Sequence, residues 1–343
     1  MASKLLQIPV RTTKTPKPFC NFKRATALSL SFSFAAKRQQ QQLICFISYK
    51  DEKLSPTSKI SRLLPKCTLS SPNPLPPTTK EEAILQAKTS LSSALEKPLN
   101  NPKLTGKLKK LKQPRFRVEI PVIDDSPSSL SQLALQVFGE MPLRRKASKI
   151  KILLLWAKRD LTEAAIQAFG SHSSVIVVQN LDMSSVLDED IRTVNSADVA
   201  VFLAPETCQL GVMKTVTESL YPRPVVIFNP KWAFEEEVAF GDMSGFVGSF
   251  DVVYSFMGLE VRGILSKRKG VVFKCVKDGV LSGEKWNVLV EEEGELRVVS
   301  RFKARPSITE VENVLYNLMA INSPVTKSAK FLKDLVSNVT GKK

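Results

Sequence analysis

The sequence predicts an α/β protein: a doubly wound, mostly parallel sheet with an antiparallel C-terminal β extension and flanking helices. Two observations carry this. Between Lys149 and Pro230, four short apolar runs alternate with helix-sized polar segments: KIKILLLW, SSVIVVQ, DVAVFLAP and RPVVIFNP. Runs without polar alternation are typical of strands covered on both faces of a parallel sheet. After Pro230 the texture changes to FDVVYSFMGLEV, GVVFKCV, KWNVLVEEE and ELRVVSRF, separated by Gly, Asp and charged turns. That pattern reads as antiparallel.

Taken in order, residues 1–67 are expected to be a disordered chloroplast transit peptide. They have no acidic residue before Asp51 and are rich in Ser, Thr, Lys, Arg and Gln, the composition of an organelle leader. Residues 68–78, TLSSPNPLPPT, read as a linker. A single α/β domain is expected over 79–322, with a C-terminal helix and basic tail over 323–343. The first helix opens on a capping box, Thr79-x-x-Glu82, and places Ile84, Ala87, Leu91, Ala94 and Leu95 on one face, with Pro98 and Asn100–Pro102 as its stop. The Lys-rich run KLTGKLKKLKQPR follows; it reads as a solvated lead into the next strand, with contact to an anionic membrane surface as the other reading.

RFRVEIPV alternates between prolines and reads as an edge strand. Ser126 and Pro127 open a helix with Leu130, Leu133, Leu135 and Phe138 inward. Asp160-x-x-Glu163 reads as a second capping box, opening a helix that ends at Gly170. Further helices are expected over Asp188–Asn195 and Gln209–Leu220, between the central strands. GDMSGFVG reads as a flexible loop, Glu293–Gly294 as a hairpin turn, and Pro306–Ser307 as the start of the last helix of the domain.

The charge is uneven. The chain carries 50 Lys/Arg and 33 Asp/Glu. Taking away the 21 basic and 5 acidic residues of 1–112 leaves 29 against 28 for the remainder. The folded part is therefore near neutral and lacks the domain-wide basic footprint of a nucleic-acid binder. Of five cysteines, 20, 45 and 67 lie before the domain, and Cys208 and Cys275 are far apart. Neither a disulfide framework nor a zinc site is expected. No apolar run reaches the roughly 20 residues of a membrane span.

Ligands of open α/β sheets bind past the carboxyl ends of the strands. Here those ends offer Lys158, Asp160, Glu206, Asn229 and Trp232 as candidate binding residues. Each also has a structural reading, with Asp160 as a helix cap and Trp232 as packing. The single histidine, His172, sits in a Ser-rich loop, and neither GxSxG, GxxxxGK[ST] nor GxGxxG is present. No catalytic residue, metal site or cofactor is expected, and the adjacent Asp124 and Asp125 read as a turn.

The run TTKEEAILQAKTSLSSAL, the strand VEIPV, the central strands and FNPKW together resemble a family of plant and cyanobacterial proteins whose domain carries an unknown-function label. The resemblance covers residues 79–322. That domain occurs alone in plastid proteins and as the C-terminal extension of a plastid adenylate kinase. One member group comprises the low-photosystem-II-accumulation assembly factors. The resemblance implies a non-enzymatic chloroplast protein, stromal or on the stromal face of the thylakoid. It would help assemble or maintain a photosynthetic complex of the photosystem II type through protein partners. Peripheral membrane contact is part of that expectation; nucleic acid is not. The alternative is a nucleotide- or metabolite-binding module using the strand-end crevice.

Overall fold

The computed structural model describes residues 5–7, 46–48, 75–100, 112–122, 126–143, 149–170, 176–186, 191–232, 237–262, 267–280, 285–292 and 294–321. Leu5–Gln7 pairs antiparallel with Phe46–Ser48. Apart from that pair, the expected leader lies outside the described residues, as do residues 68–74, the Lys-rich run up to Leu111, Asp124, Asp125, His172 and the C-terminal segment.

The domain is one nine-stranded sheet. Its strands are β1 (Arg115–Glu119), β2 (Lys151–Trp156), β3 (Val177–Asp182), β4 (Val199–Leu203), β5 (Val225–Phe228), β6 (Asp251–Arg262), β7 (Lys267–Cys275), β8 (Trp286–Glu292) and β9 (Glu295–Phe302). Their spatial order is β9-β8-β7-β6-β1-β5-β4-β2-β3. The run from β6 to β3 is parallel, and β7, β8 and β9 continue the same sheet antiparallel.

Two strands exchange the places that their texture predicts. SSVIVVQ yields β3, which is an edge strand and mostly half-buried. RFRVE yields β1, which is central, pairing in register with β5 and, through a register shift between Arg117 and Val118, with β6. Its alternation is real: Phe116 and Val118 are buried on one face, and Arg115, Arg117 and Glu119 occupy the other. That second face is covered as well, so the polar half of the pattern is enclosed rather than solvated.

The helices are α1 (Lys80–Asn100), α2 (Pro127–Ala134), α3 (Arg159–Gly170), α4 (Ile191–Ser196), α5 (Leu210–Ser219), α6 (Ser244–Val247) and α7 (Ile308–Ile321). Beyond β1 the chain crosses outward through α2 and α3, then turns back through α4 and α5. Right-handed crossovers place those two pairs on opposite faces, and α2 packs on α3 accordingly.

The five predicted inward residues of α1 are all buried, with Leu91 and Leu95 sealed. Each such leucine contributes on the order of 1.5–3 kcal/mol. Only half of the α1 capping box forms. Thr79 Oγ1 accepts from the Glu82 N–H at 3.1 Å, but the Glu82 carboxylate turns to Thr78, accepting from its N–H at 2.8 Å and its hydroxyl at 2.9 Å. Pro98 does not stop α1; it lies inside the last turn. Ser126 caps α2 as the sequence predicts, but the helix relaxes into a π turn over Leu135–Gly139. The wider turn shifts the inward face, so Val137 is sealed and Leu135 is left half-buried. GDMSGFVG is not a loop: it contains the end of a 3₁₀ segment and α6, with Phe246 and Val247 buried. The β8–β9 hairpin turns at Gly294, whose φ of 83° suits glycine. A complete capping box opens α7: Glu310 N–H donates to Ser307 Oγ at 3.2 Å, and Ser307 N–H to Glu310 Oε2 at 2.8 Å.

The helices α1 and α7 clamp the antiparallel extension from opposite sides. Val271, Phe273 and Cys275 of β7 face the core that holds α1, and Ser90 of α1 contacts Cys275 Sγ at 3.3 Å. The intervening Val272 belongs to a separate cluster with Val311 and Leu315 of α7. The turn after β7 seats against α1 through Gly279, which has a φ of 66°. A Cβ there would lie 2.5 Å from the Ser93 carbonyl oxygen. Gly279→Ala is expected to lower stability by about 1–3 kcal/mol. A urea midpoint equal to wild type would show that this turn is not seated on α1.

Candidate functional site

At the β2/β4 junction the chain leaves one strand in each direction along the sheet, and at β1/β5 the two connections run on opposite faces. The sequence-predicted residues lie around these junctions. Lys158 follows β2 and forms an ion pair with Glu206, after β4, at 3.0 Å; both are partly exposed. Gln209 Nε2 reaches across to the Ala157 carbonyl at 2.6 Å, and Glu206 and Gln209 form a capping box at the 3₁₀ turn that leads into α5. Asp160 does not cap α3. The helix starts at Arg159, Thr162 N–H donates to the Lys158 carbonyl at 3.1 Å, and Glu163 pairs with Arg159 at 3.1 Å. The Asp160 carboxylate accepts from the Leu161 N–H at 2.9 Å and stays on its own first turn. Asn229 stitches strands: its Oδ1 accepts from Ile120 N–H at 2.7 Å, and its own N–H donates to the Val118 carbonyl. Trp232 is buried, with its ring edge-on to Phe240 at 5.9 Å. The structure therefore brings Lys158 and Glu206 together, puts Asn229 and Trp232 on the neighbouring turn, and separates Asp160 from them.

Those two turns share a conformation. β4 ends in Ala204-Pro205-Glu206 and β5 in Asn229-Pro230-Lys231. Ala204 and Asn229 both have positive φ, 47° and 49°. For Ala204 this is a strained geometry that the surroundings must impose. The imposing bonds are Ala204 N–H to the Phe228 carbonyl at 2.8 Å and Lys231 N–H to the Pro205 carbonyl at 3.0 Å.

Sequence reasoning missed a second cluster, on the charged face of β1. Glu119 has no solvent exposure. Its Oε1 lies 2.6 Å from Arg117 Nη2 and 3.0 Å from Arg305 Nη1, and its Oε2 accepts from Ser255 Oγ at 2.6 Å. Arg305 also stacks over the Trp286 ring at 5.3 Å, which Lys274 approaches at 5.4 Å. Burial pushes the Glu119 carboxyl up, but Arg117, Arg305 and Ser255 more than offset it, and its pKa is held below the usual carboxylate range. Next along the face, Arg115 lies over Phe246 and Phe250 and donates to Ser249 Oγ at 2.8 Å. Three charges at alternate positions of RFRVE were the available signal. Arg305, 186 residues further on, gave none.

On the other face, Tyr254 is paired with Cys275 across β6 and β7. Burial raises its phenol pKa well above the usual value, and Cys275 and Glu82 add to the effect. Cys208 is exposed in the 3₁₀ turn, away from Cys275. Among the described residues no cluster of His, Cys, Asp or Glu could hold a metal ion, and no helix is long and apolar enough to cross a membrane.

Residues 77–313 match the family described as a domain of unknown function, DUF1995. The chain belongs to that family. A comparison with curated proteins finds no match.

The cluster around Glu119 has a thermodynamic consequence. A depressed carboxylate pKa stabilises the fold fully above the unfolded-state value, and that stabilisation is lost as pH falls through the folded-state value. The melting temperature is therefore expected to drop on acidification from about pH 4 downward. Glu119→Gln removes the buried carboxylate that pairs with Arg117 and Arg305 and is expected to cost about 3–5 kcal/mol at neutral pH, with a shallower acid limb. Melting curves across pH 3–8 check both; a variant as stable as wild type would deny the cluster its structural weight.

Proposed function

We propose that this protein is a non-enzymatic auxiliary factor that helps assemble or maintain a photosynthetic complex of the photosystem II type in the chloroplast. One observation carries the reading. The polar side chains at the strand ends, where an α/β enzyme gathers its reacting groups, are turned onto their own scaffold. Lys158 is on Glu206, Asn229 Oδ1 is on the Ile120 N–H, and Asp160 is on the Leu161 N–H. A catalytic set converges on a shared point at which a substrate atom sits; these side chains diverge from one. The leader-like composition of residues 1–67 and the resemblance to plastid assembly factors support this compartment and partner class. The protein partners are stromal or at the thylakoid surface.

Affinity purification of the tagged mature protein from solubilised chloroplasts, followed by mass spectrometry, tests this. Photosystem II subunits or their assembly intermediates are expected among the captured proteins. Recovery of the protein alone would overturn the assembly role. Separately, residues 1–67 fused to a fluorescent reporter are expected to direct it into plastids, and a cytosolic reporter would remove the compartment.

A further inference from the structure

The nine-stranded sheet ends in two edge strands that are built differently. At β9 the edge is guarded. Arg297 and Arg301 are exposed along the strand, and its ladder to β8 is interrupted between Val288 and Leu289. Charges and bulges of this kind keep one sheet edge from pairing with another. At β3 these devices are missing. VVQNL carries no charge, proline or glycine before Asp182, and its pairing to β2 runs from Val177 to Asp182 without a register shift. Val177 and Met183 donate their N–H groups to the carbonyls of Ile150 and Trp156, at the two ends of β2. Successive residues of a strand bond to opposite sides, so Val178 and Asn180 send N–H and C=O outward. Those four groups have no partner among the described residues. A second observation falls on the same edge. Val177 is 36% exposed, and on α3, which packs against β3, Ile166 is 55% exposed.

We propose that β3 is a docking edge for a second copy of this chain, which pairs antiparallel with its own counterpart about a twofold axis at Asn180. Two features select this occupant. The strand is complementary to itself in that register. Asn180 faces Asn180 of the second copy and exchanges both backbone bonds with it. Val178 faces Asp182 of the second copy and Gln179 faces Leu181, so no like charges meet. The second feature is the contrast between the edges. A twofold contact uses the same strand of both copies and leaves only the guarded β9 edges outside, so assembly closes at two copies and does not run on into a fibre. The inference is independent of the assembly role.

Light scattering on the eluting full chain tests the pairing. A mass of twice the 38.1 kDa of one chain is expected. Gln179→Lys sets two like charges near each other across the axis and is expected to raise the dimer dissociation constant at least about tenfold. Val298→Lys, the matching change at an exposed residue of β9, is expected to leave that constant unchanged. A wild-type monomer at about 100 μM protein would overturn the proposal, as would a dimer that both variants weaken equally or that neither weakens. Amide hydrogen exchange on wild type needs no variant and decides alone if Gln179→Lys does not fold. In the chain of doubled mass the Val178 and Asn180 amides are expected to be protected. Free exchange of both would overturn the edge assignment.

Discussion

A carboxylate sealed from water must keep its counter-charges or lose its charge. Glu119 keeps them by drawing on three parts of the chain. Arg117 comes from its own strand, Ser255 from β6, and Arg305 from the segment between β9 and α7. The first fixes the pitch of β1, the second ties the last parallel junction of the sheet, and the third fastens the start of the final helix. On the face that holds α1, buried apolar residues run from β2 to β8 without interruption. Around α7 the buried apolar residues form a small cluster of their own, Leu259, Val261, Val272, Trp286, Val288, Val290, Val311 and Leu315. The charged face of β1 separates it from the packing around α5 and α6. On the α7 side, ionic contacts therefore bridge a gap that hydrophobic packing leaves.

This arrangement explains which parts of the fold were legible in the sequence. KILLLW, VAVFL and VVIF announced themselves because an all-apolar run has few destinations other than a strand covered on both sides. The final helix and α1 were legible through their caps and their 3.6-residue period. RFRVE misled because a period-2 pattern says that two faces differ, not which of them meets water. The chain distinguishes a solvated charged face from an enclosed one only through partners far away, here Ser255 and Arg305. SSVIVVQ misled in the opposite sense: its run is apolar, yet the strand has no outer neighbour in the sheet and stays half-buried.

The candidate site was legible in location and less so in detail. The strand-end rule picked out Lys158, Glu206, Asn229 and Trp232, and all four lie just past the carboxyl ends of β2, β4 and β5. It erred on Asp160: the helix begins at Arg159, two residues before the start that a cap at Asp160 implies, and the Lys158 carbonyl accepts its first helical bond. The repeated texture of LAPE and FNPK was visible and read only as two stops. A positive φ before each proline cannot be read from such letters, because Ala204 is a poor residue for it and adopts it under tertiary constraint.

The path by which the chain completes itself follows from the place of α1. This helix comes first in the domain, yet a large part of its cover comes from β6 and β7, and its contact from Ser90 to Cys275 spans 185 residues. The π turn over Leu135–Gly139 and β1 give α1 its first cover, and the rest waits until β6 and β7 are made. As the chain leaves a ribosome N-terminus first, α1 arrives early and waits for β6 and β7 to complete its cover. Long-range closure of this sort slows folding and leaves apolar surface open meanwhile. The early helix is thus the part of this protein with most need of a chaperone.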